Sequence, residues 1–172
     1  MPLIEHPGPL FTSAPKIKLE IPDDWDVIPE PRAAIVVRRR TSGPTAFAAN
    51  IVVQQLRFAP GHTLQDAASL VDKALDALVE HEDGIRDFGE QFGVPVYVRE
   101  VSFRHPQAGT LLQHVRVFAV TNGPYVDVVE VTGTASGSDI VEDLPTVRTI
   151  ADSVSVEVVD IGVSGRDADG NS

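Results

Sequence analysis

Two apolar runs, residues 111–121 and 125–133, stand on either side of the dipeptide Asn122-Gly123. Asn-Gly between such runs is a strong hairpin signal, because both residues tolerate the positive φ that tight turns need. A hairpin forces antiparallel pairing, whereas parallel strands need a crossover of about a dozen residues or more. The same punctuation recurs along the chain. Residues 94–103 alternate Val94, Val96 and Val98 against Pro95, Tyr97 and Arg99, and a turn at 106–109 follows. Residues 16–21 alternate Ile17, Leu19 and Ile21 against Lys18 and Glu20, then stop at Pro22-Asp23-Asp24. Shorter or less regular apolar runs at 33–37, 47–58 and 85–93 read as further strands.

Two segments change period. Thr63 with Asp66 three residues on forms a capping-box pattern. Leu64, Ala67, Ala68, Val71, Leu75, Leu78 and Val79 then make one helical stripe, with Gly84 as the expected stop. Val147, Ile150, Ala151 and Val154 make a second stripe, with Pro145 expected in its first turn. A short strand at 154–158 follows. Hairpin-built strands with separate helices give an α+β domain, an antiparallel sheet of about six or seven strands flanked by helices. The expected organisation is an extended arm at 1–15, one domain at 16–159 and a flexible tail at 160–172. Charge gives the hairpin register. A three-residue loop that includes Pro124 sets Arg116 opposite Glu130 and Val117 opposite Val129. It is preferred to a two-residue loop that sets Arg116 opposite Val129, since a cross-strand ion pair contributes about 0.2–1 kcal/mol.

Composition then excludes several function classes. Fourteen Lys and Arg against 25 Asp and Glu leave a net charge of -11, which repels phosphate backbones and argues against nucleic acid. With no cysteine there is no disulfide, thiolate metal site or cysteine nucleophile. No apolar run reaches the ~18 residues of a membrane span. The first residues carry Glu5, four prolines and no lysine or arginine before Lys16, unlike a secretory signal. Met1 reads as a natural start, and the cytoplasm is the expected compartment.

Residues 16–25, KIKLEIPDDW, resemble the opening strand, proline turn and tryptophan of PsbP-like domains. Residues 63–82 resemble their central amphipathic helix, and residues 143–154, DLPTVRTIADSV, their closing helix. Together these resemble the actinobacterial LpqN/LpqT branch of that fold. The resemblance implies binding, assembly or adaptor modules and carries over no catalytic residues. Named members of the branch are lipoproteins, and acylation needs a lipobox cysteine. This sequence has none, so the expectation is a soluble paralogue without a membrane anchor.

Chemistry-bearing motifs are sparse. Trp25 is the lone tryptophan, either an aromatic anchor for a partner or a residue packed against the sheet edge. Asp72, Asp76 and Glu80 recur at i, i+4, i+8 on the expected first helix, where like charges repel by about 0.2–0.5 kcal/mol per pair. They read as a solvated face or as a surface for a basic partner. A metal at Asp76, Glu80 and His81 is disfavoured, since His81 points about 100° away from Glu80 on a helix. Arg38-Arg39-Arg40 reads as a strand end, with Arg39 opposite in direction to the other two. Ser102, His114 and Asp127 fall on successive strands without any nucleophile-elbow motif. No catalytic set, metal site or cofactor is expected. The expectation is a non-enzymatic adaptor or chaperone-like module for another protein with a basic or apolar segment. The alternative is a carrier of a small hydrophobic ligand in a groove between sheet and helix.

Overall fold

A computed structural model of the chain describes residues 1–41, 43 and 47–160. The expected tail lies outside the described residues beyond Asp160. The elements run β1 (Lys16–Lys18), β2 (Trp25–Val27), β3 (Ile35–Arg39), β4 (Asn50–Phe58), α1 (Leu64–Asp76), β5 (Glu82–Gln91), β6 (Val94–His105), β7 (Gly109–Asn122), β8 (Tyr125–Ser136), α2 (Ile140–Ser153) and β9 (Ser155–Glu157). Seven strands form one antiparallel sheet in the order β2-β3-β4-β8-β7-β6-β5. This is the α+β architecture expected. β1 and β9 form a separate antiparallel ribbon, pairing Lys16 with Glu157 and Ile17 with Val156. The arm before Lys16 is tied to the β7–β8 turn: Thr12 Oγ1 donates to the Asn122 carbonyl at 3.1 Å.

Each sheet face carries one helix and one core. α1 packs on β6 and β7, burying Ala68, Val71 and Leu75 against Tyr97, Val101 and Val117. α2 packs on β7 and β8, burying Val147, Ile150 and Ala151 against Ile51, Phe118 and Val131. β7, contacted by both helices, is therefore covered on both faces. β-Branched valines suit such positions, because they fill a pleated surface with little rotamer loss.

Three sequence expectations are corrected. The β7–β8 loop is Gly123-Pro124, with Asn122 paired to Tyr125. Arg116 faces Val131 and Val117 faces Glu130, so neither expected register forms. The ring of Pro124 holds its own φ negative. The positive φ of the turn therefore falls on Gly123, at 59°. Arg116 and Glu130 consequently lie on opposite faces of the sheet. Second, α1 ends at Asp76 rather than continuing towards Gly84. Ala77 caps it, Glu80 takes a left-handed φ of 50°, and β5 has begun by Glu82. Pairing of β5 with β6 takes the residues that a longer helix would have used. Third, α2 starts a turn earlier than expected, and Pro145 lies inside it. The amides of Glu142 and Asp143 already bond to the Asp139 carbonyl, which opens the helix upstream of the proline.

Gly133 of β8 marks the closest approach of α2, since a Cβ there would collide with the Val147 side chain. Gly133→Ala is expected to lower the unfolding free energy by about 1–3 kcal/mol through overpacking. Urea titration checks this, and Val147→Ala in the same chain should recover part of the loss, revealing the coupling.

Candidate functional site

Arg99, on β6, points into the α1 face with its side chain 0% exposed. Its Nη1 donates to Asp72 Oδ1 at 2.7 Å. Its Nη2 donates to Asp76 Oδ1 at 2.5 Å and Asp83 Oδ1 at 2.7 Å. Asp72 also accepts from Tyr97 Oη at 2.5 Å and from Arg86 Nη2 at 2.5 Å. Burial disfavours the charge on Arg99, but the bonds to Asp76, Asp83 and Asp72 outweigh it and hold the guanidinium pKa above its ordinary value. Burial likewise works against the Asp72 carboxylate, and Tyr97, Arg86 and Arg99 outweigh it, lowering its pKa.

The α2 face carries a second cluster. Glu100 accepts from Arg148 Nε at 2.6 Å and Arg148 Nη2 at 2.7 Å, and lies 2.8 Å from His114 Nδ1. Arg116 Nε donates to His114 Nε2 at 3.0 Å, which places the imidazole proton on Nδ1, aimed at Glu100. Burial alone would raise the Glu100 pKa. Hydrogen bonds from Arg148 and His114 dominate and pull it down to about 2. Arg116 also bonds to Gln91 and Asp152, and Arg39 bonds to Asp143 in the first turn of α2.

A groove opens beside α1, where that helix leaves β4 and β8 open among the described residues. It has a volume of ≈ 300 Å³. Leu70 and Ala74 of α1, with Leu78 just past its C-cap, form one wall, and Leu56 and Phe58 of β4 form the other. Val117, Val128, Glu130 and Thr132 lie on the floor. Leu56 is 48% exposed and Leu70 54%, so the rim presents large aliphatic surface to water. Glu130 is half-buried, and burial raises its carboxyl pKa above the ordinary value. Thr132 Oγ1, at 3.3 Å, is its hydrogen-bond partner, and among the described residues no cation pairs with it. Next to it, Val36, Val52 and Gln54 continue the same face into a second hollow beside Ile28.

The structure separates the residues that the sequence singles out. Trp25 is 3% exposed and belongs to the α2-side core. Asp72 and Asp76 face Arg99, so the acidic stripe is a counter-charge to a buried cation. Glu80 lies beyond the helix, exposed and 3.9 Å from Arg104. The atoms of Asp76, His81 and Asp83 lie within 4.8 Å of one another, but the cation between the two carboxylates is that of Arg99. Asp127 bonds to Arg57 at 2.7 Å and to Asn122 at 2.7 Å. The acid beside His114 is Glu100, not Asp127, and Ser102 lies opposite Leu112. Sequence reading missed Arg99, Glu100 and Glu130. For Arg99 a signal existed: two mutually repelling acids at i, i+4 on an amphipathic helix require a cation opposite them.

Among known structures, LpqN, involved in cell envelope biogenesis of Mycobacterium tuberculosis, superposes with a TM-score of 0.73 at 16% identity, over 90% of this chain and 88% of that one. Cyanobacterial PsbP from Synechocystis superposes with a TM-score of 0.54 at 14% identity, over 91% of this chain and 98% of that one. The fold is PsbP/LpqN-like. No family model and no curated protein sequence matches the chain. No helix among the described residues is long and apolar enough to cross a membrane.

Two expectations follow from the charged clusters. Arg99→Met should cost about 3–5 kcal/mol at neutral pH, because it leaves partly buried carboxylates without their cation. In urea titrations the deficit should shrink on acidification, as those carboxylates become neutral. Glu100, with its pKa lowered from 4.5 to about 2, contributes stability that is complete above pH 4.5 and is lost as pH falls through about 2. The shift corresponds to about 3 kcal/mol. Glu100→Gln should flatten that acid limb in pH-dependent thermal unfolding.

Proposed function

We propose that the chain is a non-enzymatic protein-binding module of the LpqN branch, and that its partner seats on the groove beside α1. The observation that carries this is the aliphatic rim: Leu56 and Leu70 are both about half exposed around an apolar hollow. Contiguous exposed apolar surface of this kind marks interaction sites more often than isolated leucines do. Its placement comes from the asymmetry of the α1 face, where one helix covers two strands and leaves their neighbours open. Asp72 and Asp76 are engaged by Arg99 and have no part in the proposed contact. Branch membership rests on the resemblance of residues 16–25 and 143–154, alongside the LpqN-like fold. LpqN is described as involved in cell envelope biogenesis, and an accessory role of that kind is part of the proposal.

A second reading is favoured by the groove volume. At ≈ 300 Å³ it sits at the lower end of small-molecule pockets, roughly 300–1,000 Å³. On that reading the chain carries a small hydrophobic ligand.

A tagged pull-down from native cells separates the two. Wild type should recover one protein in near-equal amount, and Leu56→Glu with Leu70→Glu should lose it. Both sites are exposed, so the double variant should keep its fold. A clean wild-type bait, or recovery indifferent to the substitutions, overturns the protein-binding reading. Native mass spectrometry showing added mass on the 18.5 kDa chain then points to the carrier.

A further inference from the structure

On the reading that a protein partner seats in this groove, we propose that the partner contributes an amphipathic α-helix, laid beside α1 across β4 and β8, whose lysine or arginine meets the carboxylate of Glu130.

Backbone chemistry selects a helix over an extended segment. β4 is hydrogen-bonded to β3 and β8, and β8 is hydrogen-bonded to β4 and β7. The floor of the groove therefore has no free ladder of amides and carbonyls to offer. An extended segment laid on this face would bury its own backbone groups without partners, which is costly. A helix satisfies them internally and presents only side chains. Strand addition at an edge is a different mode, and the outer edges here discourage it. β2 is only three residues long, and β5 carries Glu82, Asp83, Asp87 and Glu90 along an exposed edge.

The space has the right width. Strands lie about 4.8 Å apart and a helix with its side chains is about 10 Å across, so one helix covers about two strands. α1 takes β6 and β7. The next pair, β8 and β4, is open among the described residues and is lined by Val128, Thr132, Leu56 and Phe58. Leu70 and Ala74 of α1, with Leu78 just past its C-cap, supply the lateral wall against which a second helix packs.

The charge selects the helix. Glu130 places one carboxylate on an otherwise mostly apolar floor, with a hydroxyl and, among the described residues, no cation beside it. A net charge of -11 adds a long-range attraction for basic segments. Burial holds the Glu130 carboxyl above its ordinary pKa, so the unoccupied groove bears a desolvation cost that a partner cation relieves.

Two stapled amphipathic peptide helices of the length of α1, 13 residues, test this by fluorescence anisotropy. One carries a single lysine in its leucine face, and the other carries glutamate in its place. The lysine helix should bind wild type and lose affinity about tenfold with Glu130→Gln, the scale of one charge-assisted hydrogen bond. The glutamate helix should prefer Glu130→Lys. Glu130→Gln is expected to unfold at no lower urea concentration than wild type at pH 7, because it removes an unfavourable buried charge. Equal binding of both helices to every Glu130 variant overturns the charge pairing and leaves the groove reading in place. Binding of neither helix, with the native partner still lost on Leu56→Glu and Leu70→Glu, overturns the helical partner alone. Binding of decylammonium but neither helix overturns it in favour of a small amphiphile. If neither helix binds and the native partner ignores the leucine substitutions, both the inference and the groove reading fall.

Discussion

Two carboxylates from α1 and one from β5 converge on the buried guanidinium of Arg99, and the form of the whole α1 face depends on that convergence. An amphipathic helix on an apolar sheet has many nearly equivalent resting places. Hydrophobic burial is non-directional and does not choose among them. A buried cation does choose, because leaving it unpaired costs several kcal/mol. Asp72 and Asp76 can reach Arg99 only when α1 lies above β6 and β7. The helix is thereby kept off β4 and β8, and the groove is the part of the face left behind. The apolar hollow thus results from electrostatics a few residues away.

The α2 face solves the same problem with ties spread along its helix. Arg39 holds Asp143 near the start of the helix, Arg148 holds Glu100 in its middle, and Arg116 holds Asp152 near its end. Gln91 adds donors to the carbonyls of Ala151, Asp152 and Val154, closing the C-terminal turn. Gly133 lets the helix descend against Val147. One face is therefore anchored along the length of its helix, and the other around one buried arginine, with Arg86 bonding Asp72 from the rim.

Much of the fold was legible in local sequence. The Thr63–Asp66 capping box forms, with Asp66 accepting from the Thr63 amide at 2.9 Å. Hairpin punctuation yields the antiparallel order of β6, β7 and β8. The candidate site was less legible, and Arg99 shows why. In residues 94–103 the valines read as the inward face and Tyr97 with Arg99 as the outward one. Val96 belongs to the α2-side core and Tyr97 and Val101 to the α1-side core, so alternation along β6 separates two interiors rather than inside from outside. Glu130 was hidden by a second effect. Pairing by charge drew it towards Arg116, whereas Pro124 fixed a turn that puts the two on opposite faces. Pairwise preferences of a fraction of a kcal/mol yield to a rigid ring in the loop.

The ribbon of β1 and β9 has a consequence for the history of the molecule. Lys18 and Glu157, joined by a salt bridge, are 139 residues apart in sequence. Synthesis proceeds from the N-terminus, so β1 emerges from the ribosome long before its partner exists. Until β9 follows, Ile17 has no Val156 beside it, and the α2-side core stands open at that margin. The domain therefore closes last along its first strand.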